Sequence, residues 1–452
     1  VVAIGKIEAN HEGVTPVSAR LAEEPVTLLQ FARSAGRNML EVIPAETLRE
    51  TYVRGPLNIH YICEPEMITE LLVGQGRAFP KAKFTKDIIG SAVGNGLILS
   101  EGEKWRKQRH RYSPLFAARN LPVLARHFAA TGIEVADSLA EHPGPVDVAQ
   151  VAPASTLTNI SRVIFSGNEE VSAEQIRVGL IAYFNYISDL SLFDLMGLPK
   201  WLPRKKWLSS KAPVTTMRDL ARQVIDLRRA ESRDEPEDFL DLMIEALKSD
   251  FEDAETTVDN LLTFVVAGHE TSANALAWGY YLLALHPEMQ NRIRHEIMSA
   301  RPDGPVEYSD LENMPLLRAH IKETLRLYPS AAFFARDAGA ELDINGVKIE
   351  DGDALFFPVY SLHRNEKLWD EPDQYRPERF LGGTVPRGQY IPFGAGPRIC
   401  IGAQYAETEI MVLMASVLRK VAFSLSDEPL PEPVLTFTMR TSGPLVLNAS
   451  PV

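Results

Sequence analysis

Apolar positions recur every three to four residues through most of the stretch from 103 to 330, the spacing of helices that bury one face. Residues 253–285 form the longest such run. It is acidic at its start and apolar through its middle, and His286-Pro287 ends it, because proline cannot continue helical hydrogen bonding. A charged helix follows, and residues 315–328 predict another that Pro329 stops. Residues 50–62 read as a strand pair around a Gly55-Pro56 turn, and strand-like pieces return at 341–360. An amphipathic helix is expected over 401–420, with short strands after it. The stretches 233–238 and 301–305 are rich in proline and acidic residues and short enough to be loops. The first fifty residues carry no pattern that assigns them. The class is therefore mostly α with a smaller β part, without the strand–helix alternation of a doubly wound fold.

Composition narrows the picture. In 452 residues, 45% are hydrophobic and 24% charged, as in a soluble globular protein able to bury a large core and enclose a cofactor. The net charge of −13 argues against nucleic acid as a partner. Cys63 and Cys400 are the two cysteines, too few and too far apart for a disulfide framework, and a cytoplasmic location is expected. No apolar run suggests a signal peptide or membrane anchor. The first residue is Val1, so the N-terminus is open to having been trimmed.

One cysteine sits in an unusual setting. Residues 393–402 read Phe-Gly-Ala-Gly-Pro-Arg-Ile-Cys-Ile-Gly. Gly394, Gly396 and Gly402 let the backbone lie close to a planar group. Cys400 falls just before an expected helix, whose positive end favours a thiolate. In isolation a lone cysteine is most simply a small buried hydrophobe. The combination Phe393, Gly396, Arg398, Cys400, Gly402 nevertheless resembles the haem-binding signature of the cytochrome P-450 family. The resemblance makes Cys400 the axial ligand of haem b, with Phe393 and Gly402 against the ring and Arg398 toward a propionate. A thiolate ligand pushes electron density onto iron and favours O–O cleavage.

Other segments carry the same resemblance in family order. Glu323 and Arg326 share a helical face, and Arg379 follows in Pro-Glu-Arg-Phe. The family implies a buried structural triad; a surface pair would be the plain reading. Residues 267–271 read Ala-Gly-His-Glu-Thr inside the long apolar run. The family makes Ala267 a haem neighbour and Glu270 with Thr271 a catalytic proton-delivering pair, in place of a solvated Glu and a packed Thr. The Thr271 hydroxyl is expected to bond to the preceding turn and open the helix locally. His269 is expected to point away. Residues 104–111 hold five Lys or Arg. A solvated face is the default for such a run, but the family assigns Trp105 and Arg109 to a propionate and the remaining charges to a patch that steers an electron donor. His363 is a weaker candidate for a propionate, as is Arg336.

What these matches imply is one domain over 1–452, loosely matched through residue 50, with haem between the long central helix and the cysteine loop. Phe84, Ile89, Leu97, Phe184, Val266, Ala331 and Phe333 would line an apolar pocket; most would be ordinary core in any other fold. The expected activity is insertion of one oxygen atom from dioxygen into a small apolar molecule by a soluble, bacterial-type monomer. About fifty residues follow Cys400, too few for a fused reductase, so electrons would come from a ferredoxin or flavodoxin with its reductase. Two alternatives are a peroxide-using haem-thiolate peroxygenase and a non-catalytic haem-binding sensor.

Overall fold

The computed structural model describes residues 15–24, 26–27, 34, 37–56, 58–74, 76, 78–82, 90, 93–165, 178–179, 181–183, 212–231, 235–248 and 253–452. Strands β1 (Tyr52–Arg54) and β2 (Ile59–Ile62) form the expected antiparallel pair, with Val53 opposite Tyr61. Helix α1 (Pro65–Thr69) runs into a π-helical turn at Glu70–Gly74. Helices α2 (Gly102–Tyr112), α3 (Leu121–Glu141) and α4 (Val148–Phe165) follow, with β3 (Gly144–Asp147) between the last two. Then come α5 (Ala212–Ala230), α6 (Phe239–Lys248), α7 (Ala254–Leu285), α8 (Pro287–Ala300) and α9 (Pro315–Leu327). A second β region holds β4 (Phe334–Asp337), β5 (Leu342–Ile344), β6 (Val347–Ile349) and β7 (Ala354–Phe357), closed by a short helix, α10 (Val359–Leu362). The chain ends with α11 (Ala403–Leu418), β8 (Val421–Leu425), β9 (Pro433–Leu435), β10 (Met439–Thr441) and β11 (Val446–Pro451).

The long apolar run became α7 with the expected ends. Asp253 caps it by accepting the Thr256 amide at 2.9 Å, and His286 closes it before Pro287 opens α8. Apolar residues surround α7 for most of its length because it is buried on nearly every side. Helix α4 packs along it, and α3 packs on α11, so that one continuous core lies between these helices.

Most sheet pairings are non-local. The four-stranded sheet has the order β1-β2-β7-β4, with β2 and β7 parallel, and the three-stranded sheet the order β3-β11-β8. Three details depart from the sequence reading. β3 interrupts the helical region at Gly144-Pro145, residues 359–362 are helical, and β4 appears in a segment read only as pocket wall.

The charged triad is assembled in the core. Arg326 donates from Nε to Glu323 Oε2 at 2.7 Å and from Nη2 to Oε1 at 2.8 Å, and neither side chain has any exposed area. Arg379 Nε lies 3.4 Å from Glu323 Oε1. Arg326 also donates to the carbonyls of His363, Pro372 and Gln374. It thus ties α9 to the segment that leads into the cysteine loop. Removing one partner from such a network leaves a buried charge without compensation.

Candidate active site

A cavity of about 460 Å³ lies between α7, the cysteine loop, α4 and the turn joining β9 to β10. Its size suits a small organic ligand. Cys400 is on one wall and Ala267, Gly268 and Thr271 of α7 are on another. Trp105, Arg109, Phe393, Arg398 and Gly402 line it, and so do Leu97, Ala331 and Phe333.

Cys400 stands two residues before Gly402, the N-cap of α11. The loop is held by the Cys400 amide, which donates to the Phe393 carbonyl at 2.9 Å, and by Arg109, which donates to the Ile399 carbonyl at 2.8 Å. Protein encloses the cysteine, yet its surface is open to the cavity. Burial pushes the thiol up, while the Gly402 amide and the Arg109 charge pull it toward the thiolate. A bound metal cation would complete that pull.

Positive charge gathers along one edge. Arg398 stacks on Trp105, 4.1 Å from the ring centre. It donates to the Ser100 carbonyl at 2.8 Å and pairs with Glu101. Arg336 lies nearby; burial first, and then the Arg398 charge, push its guanidinium down to about 10. Lys81 donates to the Ile98 carbonyl and also lines the cavity. With Arg109, four cations thus border this edge, with Glu101 against them. That excess suits a ligand bearing two carboxylates. A thiol on an apolar cavity with cations at one edge is the donor set that haem requires. Among the described residues, no group of three His, Cys, Asp or Glu could hold a metal ion by itself.

On α7, Thr271 donates its hydroxyl to the Ala267 carbonyl at 2.7 Å, as expected, but the helix continues unbroken through this turn. Ser330 donates to the Thr271 carbonyl at 2.7 Å. His269 points away: Thr156 Oγ1 lies 2.9 Å from its Nδ1, and burial pushes the imidazole down to about 4.

A family model for cytochrome P450 matches residues 50–448. The chain belongs to the cytochrome P450 family. Cytokinin hydroxylase of Arabidopsis thaliana is 29% identical over 84% of this chain and 76% of its own length. Cyclooctat-9-en-7-ol 5-monooxygenase of Streptomyces melanosporofaciens is 29% identical over 80% of each chain. Cytochrome P450 3A6 of Oryctolagus cuniculus is 30% identical over 83% of this chain and 78% of its own. This P450 is therefore a haem-thiolate monooxygenase.

Not every expected site residue reaches the cavity of this P450. Glu270 is half-buried beside Thr271 and is not part of the lining. Val266 is buried in the core instead. His363 is a correction: it is fully buried, its Nε2 accepts the Ile391 amide at 2.9 Å, and its ring stacks on Tyr390. It braces the chain leading to the cysteine loop and does not line the cavity. Phe84, Ile89 and Phe184 lie outside the described residues.

Sequence reasoning missed other residues. Thr436, Phe437 and Thr438 reach the cavity from the β9–β10 turn, and Ile160 and Val163 from α4. None carries a local signal that separates it from ordinary strand or core. Glu409 had a readable signal, an acidic residue within the apolar run of α11. It is buried, accepts from Asn159 Nδ2 at 2.9 Å, and burial pushes its carboxyl up to about 7.

Proposed function

We propose that this P450 holds haem b through Cys400 and oxidises a small apolar molecule, drawing electrons from a separate ferredoxin- or flavodoxin-type donor. The observation that carries the reading is that Cys400 and Thr271, from different elements, line one apolar cavity. Haem supplies dioxygen activation and transfer of one oxygen atom when bound.

The chain's own residues do the rest. Cys400 provides the ligand; burial opposes its anionic form, the Gly402 amide and Arg109 favour it, and the bound metal would complete the ionisation. Arg398, held over the Trp105 ring, and Arg109 and Arg336 would neutralise the propionates. The Leu97, Phe333 and Phe437 side chains exclude water and orient an apolar substrate. Thr271 Oγ1 would hold the proton-carrying water or ligand in place. Its hydrogen rests on the Ala267 carbonyl and its lone pairs are left to accept from a ligand or water in the cavity. Glu270, the preceding residue and half-buried, would pass protons from the solvent side to that water.

The outer face of α2 supports the donor. Lys104, Arg106, Lys107 and His110 are exposed on a protein whose net charge is −13. Such a patch attracts an acidic partner.

Thr271→Ala tests the reading. With a reconstituted donor and a turned-over substrate, product formed per electron pair consumed should fall roughly tenfold or more. Haem content and substrate affinity should stay unchanged. Unaltered coupling would remove Thr271 from proton delivery and favour direct peroxide use.

A further inference from the structure

One carboxylate outside the chemistry joins two separate parts of the cavity's surroundings. Asp259, in the second turn of α7, is 11% exposed. Its Oδ1 accepts from Arg218 Nη1 of α5 at 2.7 Å. Its Oδ2 accepts the Asn95 amide at 2.8 Å. The next residue, Asn260, accepts the Leu97 amide at 2.8 Å. The loop carrying Asn95 and Leu97 presents Leu97 and Ile98 to the cavity.

The loop's glycines make this approach possible. Gly94 has φ +56, and a Cβ there would overlap the Asp259 carboxylate. A Cβ at Gly96 would overlap Thr263 Oγ1. The far side of the loop is fixed as well. Gln108 of α2 donates to the Asn95 carbonyl at 3.2 Å, and Arg398 donates to the Ser100 carbonyl. The same run of chain therefore touches α7, α2 and the cysteine loop.

Arg218 is held in turn by Glu255, at 2.7 Å, and Glu255 also accepts from Arg222 at 2.9 Å. Both arginines lie on α5. The only covalent route from α5 to the 93–100 loop is more than a hundred residues long, whereas the route through Asp259 is two hydrogen bonds.

We propose that Asp259 is a positioning residue that sets the Leu97–Ile98 wall of the substrate cavity, and that Arg218 on α5 controls it. The charged arginine fixes the rotamer in which Oδ2 meets the Asn95 amide. Loss of that charge frees the carboxylate to turn to water and releases the loop. Helix α5 and the pocket wall then move as one coupled unit. A wall held in place before the ligand arrives costs less to order on binding, and ligands large enough to touch Leu97 and Ile98 benefit most. The substrate meaning of this coupling rests on the proposed function; the coupling itself does not.

The test is hydrogen exchange on the haem-loaded protein, read for peptides covering 94–98, in wild type, Arg218→Gln, Asp259→Ala and the double variant. Arg218→Gln should speed exchange at 94–98 on the order of tenfold. Asp259→Ala should speed it at least as much, and adding Arg218→Gln to Asp259→Ala should change it no further. Exchange in α3 should be the same in all four, which shows that the fold is intact. A second readout uses two haem-binding probes, imidazole and 4-phenylimidazole. Arg218→Gln should weaken the larger probe roughly threefold and leave the smaller unchanged. Unchanged exchange at 94–98 in Arg218→Gln, or an equal acceleration in the Asp259→Ala background, would overturn the proposal. Either result would leave the thiolate, the haem and the monooxygenase reading untouched.

Discussion

Gly396 lies in the left-handed region at φ +70, and a Cβ there would overlap the carbonyl oxygen of Leu72 in the π-helical turn. Both the conformation and the close approach demand glycine. Gly396→Ala should therefore destabilise the protein by about 2–4 kcal/mol, from the backbone strain and the displaced turn together. Because Gly396 belongs to the cysteine loop, haem content should fall with the melting temperature; equal melting curves would show that the loop yields at no cost. Glu409 offers a different residue-scale expectation. Its folded-state carboxyl sits at about 7 and an unfolded one near the ordinary 4.5. Its contribution to stability is then present below 4.5 and is lost as pH rises through 7. Glu409→Gln should gain stability relative to wild type between pH 5 and pH 8, and a gap that does not change with pH would exclude the buried ionisation. At this scale the cysteine segment was readable because several residue types are fixed close together. Phe437 and Ile160 were not, since an apolar residue on a cavity and one in solid core look alike in sequence.

The helices carry the site by being held against one another. His269 joins α7 to α4, His320 on α9 lies 2.7 Å from the Tyr375 hydroxyl, and His363 braces the chain before the cysteine loop. Burial pushes them down to about 4, 3 and 3 respectively, with further lowering from His286 at His320 and from Arg326 at His363. All three are neutral in the folded protein. Their stabilising effect is complete above the unfolded value of 6.5 and is lost as pH falls toward the folded values. The melting temperature should drop from pH 6.5 to pH 4, since three imidazoles oppose the two carboxyls that burial raises, Glu409 and Glu296. A flat profile across that window would mean that these rings reach solvent. Element by element, α7, α9 and α11 were legible because a long apolar period needs no partner to be seen. β4 and the π-helical turn were not, because three- to five-residue elements take their form from what they pair with: β4 from β7, and the turn from the glycine-rich loop.

For the molecule as a whole, charge is divided between an acidic bulk and a cationic α2. Lys104→Glu with Lys107→Glu should slow electron delivery by a ferredoxin roughly tenfold at low salt, with the difference shrinking as salt screens it. Stopped-flow reduction of the iron measures this, and a rate indifferent to both the substitutions and salt would place the donor elsewhere. The whole-molecule claim that all else depends on is a thiolate-ligated haem at Cys400. It is tested most directly by the absorption spectrum of the dithionite-reduced protein with carbon monoxide, in wild type and Cys400→Ala. A strongly red-shifted Soret band that disappears in the variant is the expected result. A band at the position of histidine-ligated haem, or one that survives loss of Cys400, would contradict the account.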